Sequence, residues 1–402
     1  MSSAKNKILH ILPIASGGGV GNVGAELTRA LSDKSKVVLL APSNGKTPYP
    51  LYKPSTMRFE FISDISFSTL NSYKVHHIIK DFVPDVIISH SFVTLPLYLT
   101  MLPGFVTPII CVVHGTHLNE MRWSRYHPMS PAKKLEYRIN LYTQLLLVRV
   151  SAIRLNIINN FYLVGVSSKT VEELGVLGFR RHKCFSILNG VDKNRFYPRD
   201  KSASSEVLNK SGYSEIDRTA TTILHVNPSF RKGTHILLKS FNILIQTNPD
   251  IKLLIIGKMT KSLRSYLTQY ISKHNLNYRV HYIGQVDQNL LPYFYSASDI
   301  VVAPSFSEGA PLVVSEALAS KKPTIVTDVG GNSEYLLLVN LPELLIGADH
   351  YDFSRELADK MKFTIDNLNY LANKIRMDCL PSWDDVAKRY LRIIDQVKGH
   401  RY

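Results

Sequence analysis

The sequence predicts an α/β protein of two doubly wound, parallel-sheet domains. Three observations carry this. Short continuous runs of Val, Ile and Leu recur along the chain and alternate with amphipathic helical stretches. Such unbroken apolar strands belong to parallel sheets covered by helices on both faces. A glycine-rich segment follows the first run, where a strand should turn into a helix. And a chain of 402 residues makes two domains at roughly 100–200 residues each.

In chain order, 7–14 reads as a strand, 23–32 as a helix and 36–41 as a strand. Residues 86–119 contain no Asp, Glu, Lys or Arg, and 95–113 is mostly apolar. A spanning helix needs about 20 apolar residues, but Pro96, Pro103, Gly104 and Pro108 interrupt this one. The stretch reads instead as strand 85–89, helix 94–102 and strand 108–113 of a buried α/β unit. Another strand is expected at 163–167. The second half repeats the theme, with strands at 222–226, 252–256, 280–283, 300–304 and 324–327. Helices at 233–246, 263–274, 289–297 and 311–320 lie between them. The polar stretch 199–220 reads as the linker, giving domains 1–198 and 199–381. In the tail, 382–402, Trp383, Val386, Tyr390 and Ile393 line one face of a closing helix.

Composition narrows the function classes. The chain is 45% hydrophobic and 20% charged, which excludes a disordered or fibrous protein. Three scattered cysteines give neither a disulfide framework nor a zinc cluster, and they fit a reducing, cytoplasmic location. The formal charge is +16. Residues 1–198 hold 23 Lys/Arg against 11 Asp/Glu, and 199–402 hold 25 against 21. The excess therefore sits in the first domain and favours an anionic partner there.

The segment Gly19-Val-Gly21-Asn-Val-Gly24 fits G-x-G-x-x-G after a strand, a place where backbone N–H groups can meet a phosphate. A dinucleotide enzyme would carry an acid about 20 residues on. The second strand ends in Ala41-Pro42-Ser43 instead, which argues against NAD. The same glycines also suit a tight turn that binds nothing.

The most informative segment surrounds Glu308 and Glu316. A buried strand, 300–304, runs into a loop carrying Glu308. Pro311 stands where a first helical position would be, and Glu316 falls on the second turn. One carboxylate thus lies at the carboxyl end of a strand, where ligands bind in open α/β sheets, and the other on the next helix. The helix start between them can hold a phosphate, while the carboxylates suit sugar hydroxyls.

These residues resemble the E-x7-E motif of retaining GT-B glycosyltransferases, most closely family 4. Val280-His-Tyr-Ile-Gly284, the run from Ala297 to Pro304, Val164-Gly-Val-Ser167 and Ile187-Leu-Asn-Gly-Val-Asp192 resemble further motifs of that family. The resemblance implies two Rossmann-like domains facing a cleft, with the C-terminal helix crossing back towards the first. It implies an N-terminal acceptor domain and a C-terminal domain holding a nucleotide diphosphate sugar, with UDP or GDP as the nucleotide. By analogy Glu316 would bond the ribose, Glu308 the transferred sugar, and Lys232 the diphosphate. Backbone N–H groups near Gly309 and Ala310, at the helix start with Pro311 and Leu312, would assist. Ile283 and Gly284 would lie beside the base, and Gly18 and Gly19 would meet the phosphates. Where the family usually carries an Arg about five residues before the Lys, this chain has Asn227; Arg231 is the nearest cation. Retention is implied, by front-face substitution, since no carboxylate identifies itself as a nucleophile. No cofactor is implied, and no metal either, since the chain has no Asp-x-Asp tract.

Val112-Val-His114-Gly-Thr-His117 follows a strand. His114 matches a family position near sugar and acceptor, and His117 is second; a structural histidine is the alternative. Arg122, Arg125, Lys133, Lys134, Arg138, Arg149 and Arg154 crowd one region against Glu136. Lys134, Arg138 and Arg149 project within about 60° of one another on a helix. With interleaved apolar residues, this reads either as a cationic surface for acceptor or anionic membrane, or as a long core helix with snorkelling cations. A glycan, lipid-linked or phosphorylated acceptor suits the charge, at the inner face of the membrane. The alternatives are a GT-B epimerase of nucleotide-sugars and a non-catalytic basic binder. No recognised nucleic-acid motif appears.

Overall fold

The structure, a computed structural model, describes residues 5–12, 18–42, 57–62, 69–90, 94–102, 104–124, 129–213, 216, 220–347 and 353–399. Part of the glycine-rich loop, 13–17, lies outside the described residues, as do Arg125 and the side chain of Arg122.

The chain divides into two compact units. The first holds 1–118, 139–190 and 381–402, and the second holds 119–138 and 191–380. The first unit's strands are β1 (Lys7–Ile11), β2 (Lys36–Pro42), β3 (Met57–Ile62), β4 (Val86–Ser89), β5 (Ile109–Val113), β6 (Phe161–Gly165) and β7 (Cys184–Ser186). They form one sheet in the order 3-2-1-4-5-6-7, with every pairing parallel. The second unit's strands are β8 (Thr221–Val226), β9 (Ile251–Ile256), β10 (Val280–Gly284), β11 (Ile300–Ala303), β12 (Thr324–Thr327) and β13 (Leu345–Ile346). Their order is 10-9-8-11-12-13, again all parallel. Both are doubly wound sheets, as the sequence predicts.

The central strands β4, β5 and β6 are buried along their whole length, because helices cover both faces. In each sheet the strand order reverses beside the first strand, between β1 and β4 and between β8 and β11. Crossovers leave in opposite directions there, opening a crevice at the carboxyl ends. The charge-free stretch folds as β4, helix Thr94–Leu99 and β5. Among the described residues no helix is long and apolar enough to cross a membrane.

Three elements differ from expectation. The first helix runs Gly18–Ser32 and takes the glycines into its first turns, because burial of Val23, Leu27, Ala30 and Leu31 fixes one face of it. The polar 199–220 stretch is not a bare linker. It contains helix Lys201–Lys210, whose Asp200 cap accepts from Ala203 N at 2.7 Å, one of the strongest local helix starts. Pro311 caps helix Leu312–Ala319 in an extended conformation rather than occupying its first turn.

The last helix, Trp383–Gly399, buries Trp383, Val386, Ala387, Tyr390, Ile393, Ile394 and Val397. It packs on helix Gly18–Ser32, and Lys398 Nζ donates to Asn6 Oδ1 at 2.7 Å. The end of the chain is therefore a structural part of its first unit. Ile394 is fully buried. Ile394→Ala is expected to cost about 2–5 kcal/mol, read as an earlier urea midpoint for the transition that contains the first unit.

Candidate active site

Each unit carries a polar constellation at its own switch point. In the second unit β8 is followed by Asn227, whose φ of +60° turns the chain sharply. The loop then carries Arg231 and Lys232 to helix Thr234–Leu244. Gly233 must be glycine: its φ is +72°, and an added Cβ would stand 2.0 Å from the Pro304 carbonyl oxygen. Beneath the loop, buried His225 donates from Nδ1 to the Val302 carbonyl at 2.8 Å. Its Nε2 therefore accepts, and the Thr234 hydroxyl serves it at 2.8 Å. Burial lowers His225 to about 4, so it is neutral.

On the neighbouring strand, β11 leads into the Glu308 loop. Phe306 N donates to Arg231 O at 2.9 Å. The Arg231 guanidinium donates to Ser307 O at 2.6 Å and stands 3.9 Å from Glu308 Oε2. Lys232 Nζ donates to Glu308 Oε1 in a short ion pair. Asn119 Nδ2 donates to Glu308 O at 2.5 Å, and Gly331 N to Gly309 O at 2.5 Å. At Gly330, φ +55°, a Cβ would meet Glu308 O and Gly309 O at 2.3 Å. Phe306 anchors the loop among Trp123, His235 and Phe353, with ring centroids 5.7, 5.9 and 5.7 Å away.

Glu308 is 7% exposed. Burial pushes its carboxyl up, but attraction to Lys232 and Arg231 outweighs this and holds it below the ordinary carboxylate value. Burial also pulls the Lys232 ammonium down, against the pull of Glu308. Glu316 lies one helix further on, and the Tyr295 hydroxyl donates to its Oε2 at 2.8 Å. Burial and Glu316 both keep that phenol protonated. Ala310 is buried, whereas Gly309, Pro311 and Leu312 are partly open. Ile283 and Gly284 end β10, where Gly284 O accepts from Gly257 N at 2.6 Å.

The first unit gathers histidines on adjacent strands. His10 lies in β1, His90 follows β4 and His114 follows β5. Thr28 Oγ1 lies 2.6 Å from Gly24 O and 2.7 Å from His10 Nδ1. His10 Nε2 lies 2.9 Å from His90 Nε2, and His90 Nδ1 lies 2.7 Å from His114 Nε2. Two oxygens that close need a proton between them, and a carbonyl has none, so the Thr28 hydroxyl donates to Gly24. His10 Nδ1 must then donate to Thr28, His90 Nε2 to His10, and His114 Nε2 to His90. His114 is left with Nδ1 as an acceptor. Burial lowers His114 to about 4 and His10 to about 3, and it holds His90 well below its usual value, so all three are neutral. Nearby, the Thr116 hydroxyl donates to the buried Glu173 carboxylate at 2.5 Å.

Gly18 and Gly19 open the first helix, exposed. His117 begins helix His117–Ser124, with a buried Nδ1 that has no partner among the described residues. Lys134, Arg138 and Arg149 lie on helix Pro131–Ile157. Among the described residues no group of three His, Cys, Asp or Glu side chains is arranged to hold a metal ion.

Comparison with known proteins yields two family matches that tile most of the chain. Residues 17–195 match the family described as Glycosyltransferase Family 4, and 211–338 match Glycosyl transferases group 1. The chain is a glycosyltransferase. Among solved structures, this transferase resembles Alr3699/HepE of Anabaena in complex with UDP, at 20% identity and a TM-score of 0.73, covering 97% of this chain and 100% of that one. It also resembles sucrose-phosphate synthase of Thermosynechococcus elongatus, at 18% and 0.74, covering 98% and 100%. A third is the catalytic domain of starch synthase IV of Arabidopsis thaliana bound to ADP and acarbose, at 16% and 0.70, covering 99% and 100%. At these identities the likeness is one of fold: the transferase has the two Rossmann-like domains of GT-B. No curated protein matches it in a sequence search.

Sequence reasoning named Arg231, Lys232, Glu308 and Glu316, and the structure joins the first three in one cluster. It did not find Asn119, Tyr295, His225 or the Thr28–His10–His90 chain. A histidine inside the apolar β1 run was the one available signal for the last, since a buried imidazole needs partners.

Two tests follow from this geometry. The ionised Glu308 adds stability above about 4.3, the ordinary glutamate value, and loses it as pH falls through its lowered pKa. Lys232→Met strands that charge and is expected to cost about 3–5 kcal/mol at pH 7. In the variant the buried carboxylate lacks its Lys232 partner, so acidification from pH 7 towards its ordinary value is expected to regain stability, while the wild type stays level there and loses stability only below that value; parallel pH profiles would contradict the pairing. In the histidine chain, Thr28→Val removes the oxygen that orders the protons. Nitrogen-15 NMR of labelled histidines is expected to show the His114 proton on Nε2 in the wild type and on Nδ1 in the variant.

Proposed function

We propose that this glycosyltransferase moves a sugar from a nucleoside diphosphate sugar to a glycan, lipid-linked or phosphorylated acceptor, with retention and without a metal ion. The observation that carries it is the second-unit cluster: two cations and a buried carboxylate at a helix start, one helix from a second carboxylate. The nucleotide complexes of the structural relatives, with UDP and ADP, support the donor class.

In this reading the donor diphosphate meets Lys232, Arg231 and the backbone N–H groups at Gly309 to Leu312. As the sugar–oxygen bond breaks, its electron pair goes to the diphosphate. Fixed cations and helix-start dipoles stabilise that charge without reorganisation. Glu308 holds Lys232 in place before the donor arrives and takes a sugar hydroxyl afterwards. Glu316, oriented by Tyr295, binds the ribose. Asn227 leaves the second diphosphate contact to Arg231, whose guanidinium already lies on the Glu308 loop. Gly18 and Gly19 approach the phosphates, and Ile283 and Gly284 flank the base. His114, neutral and with Nδ1 accepting, takes a hydroxyl of the sugar or acceptor, with His117 and the Arg122, Lys134, Arg138 and Arg149 cations on the acceptor side. The enzyme works in the cytoplasm, at the inner face of the membrane.

A thermal-shift screen with UDP, GDP and ADP tests the donor site. The cognate nucleotide at about 100 times its Kd should add about 2.7 kcal/mol of stability. Glu316→Ala should fold normally and lose both that shift and turnover. A shift equal to the wild type's would remove Glu316 from the site, and formation of an epimer from donor alone would replace transfer by epimerisation.

A further inference from the structure

Helix Pro131–Ile157 is apolar on two sides. Leu141, Leu145, Val148, Ala152 and Leu155 are buried. Ile139, Tyr142, Leu146, Val150, Ile153 and Ile157 are 54–72% exposed. At about 100° per residue the exposed six fall within roughly 80° of arc, about 140° away from the buried set. From Ile139 to Ile157 the stripe is about 27 Å long at 1.5 Å per residue. Single exposed apolar residues are ordinary on a protein surface, but a continuous stripe of this length is not. A helix that packs on one side and needs nothing on the other carries polar residues there.

The charges along the helix say what covers the stripe. At about 100° per residue, Arg138 and Arg149 border one edge and Arg154 the other. Arg138, Arg149 and Arg154 are exposed. The helix holds five cations against the single acid Glu136. A second copy docked by the same stripe would set cations against cations. An anionic bilayer accepts both features: acyl chains cover the stripe, and headgroup phosphates meet the flanking cations. Tyr142, an amphipathic ring within the stripe, suits the headgroup boundary. The apolar residues around this helix thus divide between a core face and an outward face.

We infer that the outward face of helix Pro131–Ile157 docks the protein on an anionic membrane, with the Ile139–Ile157 stripe inserted in the interface plane and its flanking arginines on lipid phosphates. The inference deepens the acceptor-side reading above. Its assay needs neither donor nor turnover, so its failure and a failure of glycosyl transfer are distinguishable.

The test is flotation of the full chain with phosphatidylglycerol–phosphatidylcholine vesicles against pure phosphatidylcholine vesicles. The protein should float with the anionic vesicles and be released by salt. Arg149→Gln should weaken partitioning about fivefold. Leu146→Gln with Ile153→Gln should weaken it by at least tenfold while leaving the melting temperature unchanged, since both side chains are exposed. Tyr142→Trp should blue-shift on binding and be quenched by brominated acyl chains. No flotation at low salt would overturn the inference. So would glutamine variants that bind like the wild type, or a solution dimer that the same variants dissociate.

Discussion

The second unit's site is organised around one buried ion pair. Lys232 and Glu308 come from loops that follow adjacent strands, β8 and β11. Each alone would be costly to bury; together they fix both loops at the point where the sheet's crossovers diverge. The surrounding bonds serve that pairing. Arg231 ties its own loop to Ser307, Asn119 ties its helix, His117–Ser124, to Glu308 O, and Gly330 and Gly331 press on the same turn from the loop after β12. In the proposed reading, a donor diphosphate would meet a Lys232 cation that the Glu308 carboxylate already holds in position.

The first unit solves a different problem at the equivalent place. Its switch point is lined with neutral rings, not charges. The Thr28 hydroxyl can point only at Gly24 O, and that choice passes through His10 and His90 to His114. A backbone carbonyl in the first helix thereby decides which nitrogen of a distant imidazole is protonated. The chain ends on that carbonyl and not in water, so it orders protons without exporting them.

Much of this fold was legible in the sequence because parallel strands are buried on both faces and so read as unbroken apolar runs. Strand β3, with Arg58 and Glu60 alternating with apolar residues, escaped that criterion, and β7 has only three residues. Helix Lys201–Lys210 was hidden by its composition, since it buries little beyond Ser204, Ser205 and Leu208. The Glu308 and Lys232 positions were visible as a motif with a chemical rationale. The histidine chain was not, because only the strand order 1-4-5 brings positions 10, 90 and 114 together. For helix Pro131–Ile157 periodicity showed apolar residues all round, but not which of them the core would cover.

The first unit is closed by helix Trp383–Gly399, which lies on helix Gly18–Ser32 and crowds Gly190, where a Cβ would stand 2.8 Å from Trp383 N. Between these partners the chain lays down the whole of 191–380, which forms most of the second unit. A ribosome therefore releases the partners of the first core at opposite ends of synthesis. The β1–β7 sheet emerges early with the apolar face of its first helix uncovered, and it must wait through some two hundred residues for its cover. The second unit's sheet, β8–β13, is contiguous in sequence and needs no such wait, so vectorial folding would close the later-made core before the earlier one.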